Sequence, residues 1–129
     1  MEEFAARKRD RDILVRIIIK KKTNQTVYLS QRNTKTDFPV ITCAIGMEEK
    51  QMRLVVGARP GRAMVIHKQF EKEEERRELL VNPEEFAKKS AEEIPVGGNM
   101  RASAEYRSHL IYVLVKRAIL ALGGNTDEN

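Results

Sequence analysis

Apolar residues follow two different periods along this chain, and the change between them organises the reading. In "DILVRIIIKKK" (Asp12–Lys22), Ile13, Val15, Ile17 and Ile19 alternate with Leu14, Arg16, Ile18 and Lys20. One face is wholly apolar and the other mixed, which predicts a first strand packed on one side. The polar run "TNQTVYLSQRNTKT" (Thr23–Thr36) predicts an irregular connection with one helical turn around Tyr28. Val40–Met47 and Gln51–Ala58 read as two further strands. Glu48–Lys50 between them is short enough for an antiparallel hairpin. Pro39 is tolerable at the mouth of a strand, and Pro60–Gly61 marks a turn.

Beyond the turn the spacing becomes helical. "MVIHKQFEKEEERRELL" (residues 64–80) predicts a helix with a solvated outer face, with a short strand at Ala63–Ile66 as the alternative for its apolar start. In "NPEEFAKKSAEEI", Asn82 reads as an N-cap, Pro83 as the first helical position, and Glu84 and Glu85 as first-turn acids. Phe86, Ala87, Ser90, Ala91 and Ile94 form its inner stripe, and Pro95 ends it. A last helix is predicted from Ala102 to Leu122, with Ala104, Arg107, Ile111, Val115, Ala118 and Leu122 on one stripe. Val113 and Leu120 make its second half apolar nearly all round, so it needs cover on more than one side. Gly123–Gly124 reads as a C-terminal stop. Strands first and helices after predict an α+β fold, a small antiparallel sheet of three to four strands with about three helices on one face. The 129 residues suit a single domain, with 1–11 as an N-terminal extension, 12–122 as the folded unit and 123–129 as a tail.

Composition changes this picture little, with 41% hydrophobic and 33% charged residues, an ordinary globular balance. Trp is absent and aromatics reach only 5%, so aliphatic side chains must build the core. The formal net charge of +5 invites a nucleic-acid reading. The distribution argues against it, because residues 1–22 hold eight basic and four acidic groups and most of the excess with them. Cys43 is the lone cysteine, which excludes an intramolecular disulfide and leaves no basis for a cysteine zinc site. Within "PVITCAIG" it reads as a small buried hydrophobe. Residues 1–12 are charged and lack the apolar core of a signal peptide, and Leu110–Leu122 is too short and too charged to span a bilayer. A cytoplasmic protein without membrane contact is expected.

Catalytic chemistry is thinly represented. His67 and His109 stand far apart and in no metal-ligand spacing, so no metal site is expected. The carboxylates crowd into Glu71–Glu78 and Glu84–Glu93, as solvated helical charge runs do. The loop "VGGN" (Val96–Asn99) lacks the length and trailing lysine of a phosphate loop and reads as a hinge. No self-sufficient active site emerges, so the chain reads as a module that assists a partner and not as a complete enzyme.

"DILVRIII", then "R…DFPVITCAIG", then "MRLVVGARPGRA", then "MRASAEYRSHLIYVLVKRAI" occur in an informative order. Together they resemble the C-terminal domain of the FAD-binding (medium) subunit of molybdenum hydroxylases, the family of xanthine and carbon monoxide dehydrogenase flavoproteins. The resemblance covers residues 12–122, and "RASAEYRSHL" (Arg101–Leu110) is its most specific part. It implies a domain that follows an FAD-binding domain and helps cover the flavin, which passes electrons from iron–sulfur clusters to an acceptor. No FAD-binding half is expected in this chain, so the resemblance implies a split subunit or accessory domain. No cofactor is then expected on the isolated chain. FAD would sit in a partner, with iron–sulfur and molybdenum subunits as further partners.

Many family members carry a lysine near the flavin ring four residues before the arginine of the connection; counting from Arg32, that position is Tyr28. A tyrosine can stack or donate a hydrogen bond but supplies no positive charge. The resemblance makes Tyr28 and Arg32 the candidate contacts to a partner-bound FAD. An ion pair between Arg32 and Asp37 is the local alternative. Tyr106, Arg107 and Leu110 are the candidate helix-packing or interface residues. The alternative function is a stand-alone homo-oligomeric module with no redox activity, motivated by the apolar last helix.

Overall fold

The structure is a computed structural model that describes residues 13–19, 21 and 24–124. Its elements are four strands, β1 (Gln25–Arg32), β2 (Pro39–Met47), β3 (Gln51–Gly57) and β4 (Met64–Gln69), then three helices, α1 (Glu73–Val81), α2 (Glu84–Glu93) and α3 (Ala104–Gly124). The strands form one antiparallel meander in the order β1-β2-β3-β4. This is the α+β architecture the sequence predicts.

Register decides which side chains reach the core. Leu29 pairs with Cys43 and Val27 with Ile45; across β3, Val56 pairs with Cys43 and Leu54 with Ile45. Met64 and Ile66 of β4 continue the row opposite Val56 and Leu54. These residues share one face because side chains alternate along a strand. α3 packs across β1 and β2 on that face. Ile111, Val115, Ala118 and Leu122 of α3 are buried there. α1 and α2 close the other flank of α3. Ser108 Oγ donates to the Ala91 carbonyl (3.0 Å), and Lys116 Nζ meets the Glu84 carboxylate at 2.8 Å. A Cβ on Gly123 would stand 3.3 Å from the Leu80 carbonyl oxygen, so the missing side chain admits α1 closely. The helix is apolar round most of its girth because the sheet lies beneath it and two helices lie beside it. Gly123 and Gly124 belong to its last turn, and Gly123 serves packing where a plain stop was expected.

The first strand departs from expectation. Residues 13–19 of the predicted strand have no regular structure and stand exposed; Asp12, Lys20 and Lys22 lie outside the described residues. The strand forms instead within the predicted connection, where Gln25–Arg32 includes Tyr28 in extended backbone and not in a helical turn. Only Val27 and Leu29 anchor β1 to the core, which is why the run reads as polar. An edge strand under one helix needs no more, and its pairing with β2 carries the rest. A bulge between Gln31 and Arg32 ends the ladder.

Smaller shifts have local causes. The apolar patch of residues 64–69 is a full strand, and the helix begins only at Glu73. Asn82 does not cap α2. Its N–H bonds the Glu78 carbonyl at 2.8 Å and so closes α1, while Pro83 takes the N-cap position in α-conformation. Two helices joined within two residues leave no room for an extended Asn cap. The predicted inner stripe of α2 holds, with Ala87, Ser90 and Ile94 buried.

Two outcomes follow from this core. Ile111→Ala removes a fully buried side chain and is expected to cost about 2–5 kcal/mol in urea denaturation. Burial pushes the Cys43 thiol up to about 12. Cys43 should therefore resist thiol reagents at pH 8 until the chain unfolds. Suppressed ionisation in the native state alone also means that stability falls as pH rises from about 9 toward 12, and Cys43→Ala should flatten that part of the curve.

Candidate functional site

Loop geometry gathers the chemistry at one end of the sheet. The β1–β2 turn, the β3–β4 turn and the segment joining α2 to α3 meet there. Gly97 N–H bonds the Arg59 carbonyl (2.8 Å), and Asn33 Nδ2 bonds the Arg101 carbonyl (3.3 Å). The Arg59 guanidinium donates to the Pro95 carbonyl.

At the centre lies Arg107, 1% exposed, on the core stripe of α3. Its Nε donates to the Val40 carbonyl at 3.0 Å, which fixes the helix to β2. Its Nη1 donates to the Gly97 and Ala102 carbonyls at 2.6 and 2.9 Å, and Nη2 donates to Asn99 Oδ1 at 2.7 Å. Burial, and after it the Arg101 charge, draws the guanidinium pKa below its usual value, but an arginine keeps its proton at neutral pH. Asn99 Oδ1 also accepts the Arg101 N–H (2.9 Å), so one amide oxygen joins helix and loop.

The loop "VGGN" is therefore pinned where a hinge was expected. It makes a poor anion cradle as well, since the Gly97 and Asn99 amides are spent internally. Gly97 N–H goes to Arg59, Asn99 N–H to Ala102 (3.0 Å) and Ala102 N–H to Asn99 (3.2 Å).

Tyr28 and Arg32 lie on the sheet face away from the helices, both exposed, with Tyr28 at 58%. Four residues apart on a strand, they stand roughly 13 Å from each other. The predicted Arg32–Asp37 carboxylate pair does not form. Arg32 Nη1 donates to the Asp37 backbone carbonyl at 2.5 Å. The Asp37 carboxylate accepts the Phe38 N–H (2.7 Å) and faces Arg101 at 3.5 Å, whose guanidinium lies over the Phe38 ring. Of the candidate interface residues, Arg107 and Leu110 are turned inward, with Leu110 8% exposed in the core. Tyr106, at 44%, is the one that reaches the surface. Of the two roles the sequence leaves to Arg107, helix packing or interface, its burial fits the first, while its acceptors are not named by the sequence. Its signal was a cation on the stripe Ala104–Arg107–Ile111, which demands buried acceptors.

The open sheet face is unusual for a surface. Register places Thr42, Ala44 and Gly46 of β2 beside Val55 and Gly57 of β3 and Val65 of β4. Solvated sheet faces are normally polar. Here the middle is small and apolar, with Tyr28 at one margin and Arg53 and His67 at another. Among the described residues no group of three or more His, Cys, Asp or Glu could hold a metal, and no helix is long and apolar enough to cross a membrane.

No protein-family model matches the sequence, and no curated protein does. The backbone is similar to that of quinoline 2-oxidoreductase from Pseudomonas putida 86, with a TM-score of 0.61 and 16% sequence identity over 81% of this chain. The match covers 38% of that protein's chain. At this identity the likeness shows a shared fold.

Arg107→Met removes the guanidinium from the buried Val40 carbonyl and from three partly buried acceptors, and should cost about 3 kcal/mol or more in urea denaturation. Arg107→Lys should recover only part of the loss, because an ammonium cannot span the same acceptors. Amide exchange at Gly97, Asn99 and Ala102 should rise in both variants.

Proposed function

We propose that this chain is an accessory domain or split subunit of a molybdenum hydroxylase flavoprotein in the cytoplasm, with residues 12–122 as its flavoprotein-like unit. Its open sheet face packs against an FAD-binding chain, and iron–sulfur and molybdenum subunits complete the assembly. The observation that carries this reading is the small, apolar middle of that face, which has the character of a covered surface. The resemblance of the ordered sequence motifs and the fold shared with an oxidoreductase support it.

The residues present fit such a cofactor. Tyr28 offers an exposed aromatic ring at the margin of the face, able to lie against a flavin or donate a hydrogen bond. Arg32, on the same face, offers a cation held by the Asp37 carbonyl. The flavin would supply the electron-carrying chemistry. The chain's own residues would exclude water from it and shape its surroundings. Tyr106, exposed on α3, is a further candidate contact for the same assembly.

A tagged pull-down from native extract under reducing conditions tests this reading. The expected result is an FAD-binding chain with flavin absorbance in the eluate. Ala44→Arg places a charge in the middle of the open face without touching the core. It should weaken co-purification at least about tenfold, equivalent to 1.4 kcal/mol. Tyr28→Ala should retain the partner but change the flavin spectrum. A colourless eluate holding this chain alone would remove the flavoprotein role.

A further inference from the structure

We propose that the outer edge of β1 is a strand-acceptor site, filled by residues 13–19 of a second copy of this chain in a reciprocal antiparallel exchange. Six of those seven residues are large aliphatics in water. Ile13 is 86% exposed, Leu14 57%, Val15 87%, Ile17 53%, Ile18 76% and Ile19 85%. Their sequence alternates as a strand does, yet their backbone pairs with nothing in the sheet. A contiguous apolar run of this kind marks an interaction segment.

The acceptor is equally specific. Among the described residues β1 pairs with β2 alone, so its other side presents a row of backbone groups that no described strand pairs. Natural edges are usually protected by charge, proline or an interior bulge. Gln25–Gln31 contains no charged residue and no proline, and the bulge comes only at its end. The opposite edge, β4, carries His67 and Lys68.

Alternation makes donor and acceptor complementary. Ile13, Val15, Ile17 and Ile19 form the wholly apolar face of the donor. Val27 and Leu29 form the core-facing side of β1 and are only partly buried. A seven-on-seven antiparallel register sets Ile17 opposite Val27 and Val15 opposite Leu29, so both apolar faces point to the same side. Arg16 then lies opposite Tyr28 on the open face. On the apolar side, α3 has one flank occupied by α2 through Ser108, and helical spacing puts Tyr106 on the opposite flank. A fifth strand there would slide its aliphatic face beneath that flank.

A second copy is the occupant because every copy carries both halves of the exchange. In the single chain the segment is exposed and its backbone takes no strand pairing. Two copies related by a two-fold axis satisfy both donors and both acceptors, and the assembly closes with no edge left over at β1. The open sheet face stays free, so this inference is independent of the flavoprotein reading and has its own test.

The test is light scattering of the full chain across a concentration series, with amide exchange on the same samples. A dimer is expected at twice the 14.8 kDa of the chain, with protected amides in β1 and in residues 13–19. Val15→Lys with Ile17→Lys, and separately Ile17→Pro, alter positions exposed in the chain. Both should keep the circular dichroism and melting temperature of the monomeric fold while weakening the dimer at least about tenfold. A monomeric wild type would overturn the proposal, including one whose β1 edge is protected by its own segment. So would open higher oligomers, or a dimer indifferent to these variants.

Discussion

The buried guanidinium of Arg107 is the constraint on which the rest depends. A cation in an aliphatic core is tolerable only if acceptors surround it. Here they come from three places, the Val40 carbonyl on β2, the Gly97 and Ala102 carbonyls, and Asn99 Oδ1 in the loop before α3. Each bond fixes a different degree of freedom. The first sets where α3 crosses the sheet, and the others set how the chain enters the helix. With α3 placed, α2 follows through Ser108 and Lys116, and α1 through the close approach at Gly123. Hydrophobic burial supplies most of the stability, but it is non-directional. The arginine gives the packing a single orientation.

That division of labour explains what was legible in the sequence. β2 and β3 were readable because they are central strands, with Ile41, Cys43, Ile45, Met52, Leu54 and Val56 all fully buried. A central strand must advertise its burial. β1 was misplaced because an edge strand under one helix needs only Val27 and Leu29, and a richer aliphatic run lay just before it. Hydropathy ranks segments by how much they want cover, not by whether this chain supplies it. Residues 13–19 want cover and do not receive it here.

The candidate site was legible in part for the same reason. Tyr28 and Arg32 stand on one face only because the run containing them is a strand. Read as an irregular connection, it could give no common face. The helical stripe marks Arg107 as a packing or interface residue, and its inward turn follows from neighbours far away in sequence. The Val40 carbonyl is 67 positions distant. No local pattern holds that information. The cation among core positions does hold the weaker message that internal acceptors must exist.

The domain is thus complete on one side of its sheet and incomplete on two others. Its helical face is closed, and the polar groups at the loop end are largely satisfied by one another. The open face has a small apolar middle, and the β1 edge lacks the devices that keep strands apart. Small residues such as Ala44 and Gly46 allow close approach across a face, while an unpaired backbone edge asks for hydrogen bonds along a line. These are different kinds of valence, one suited to a flat packed surface and one to a single extended segment. A chain that carries both can pair with itself along the edge and still offer its face to another protein.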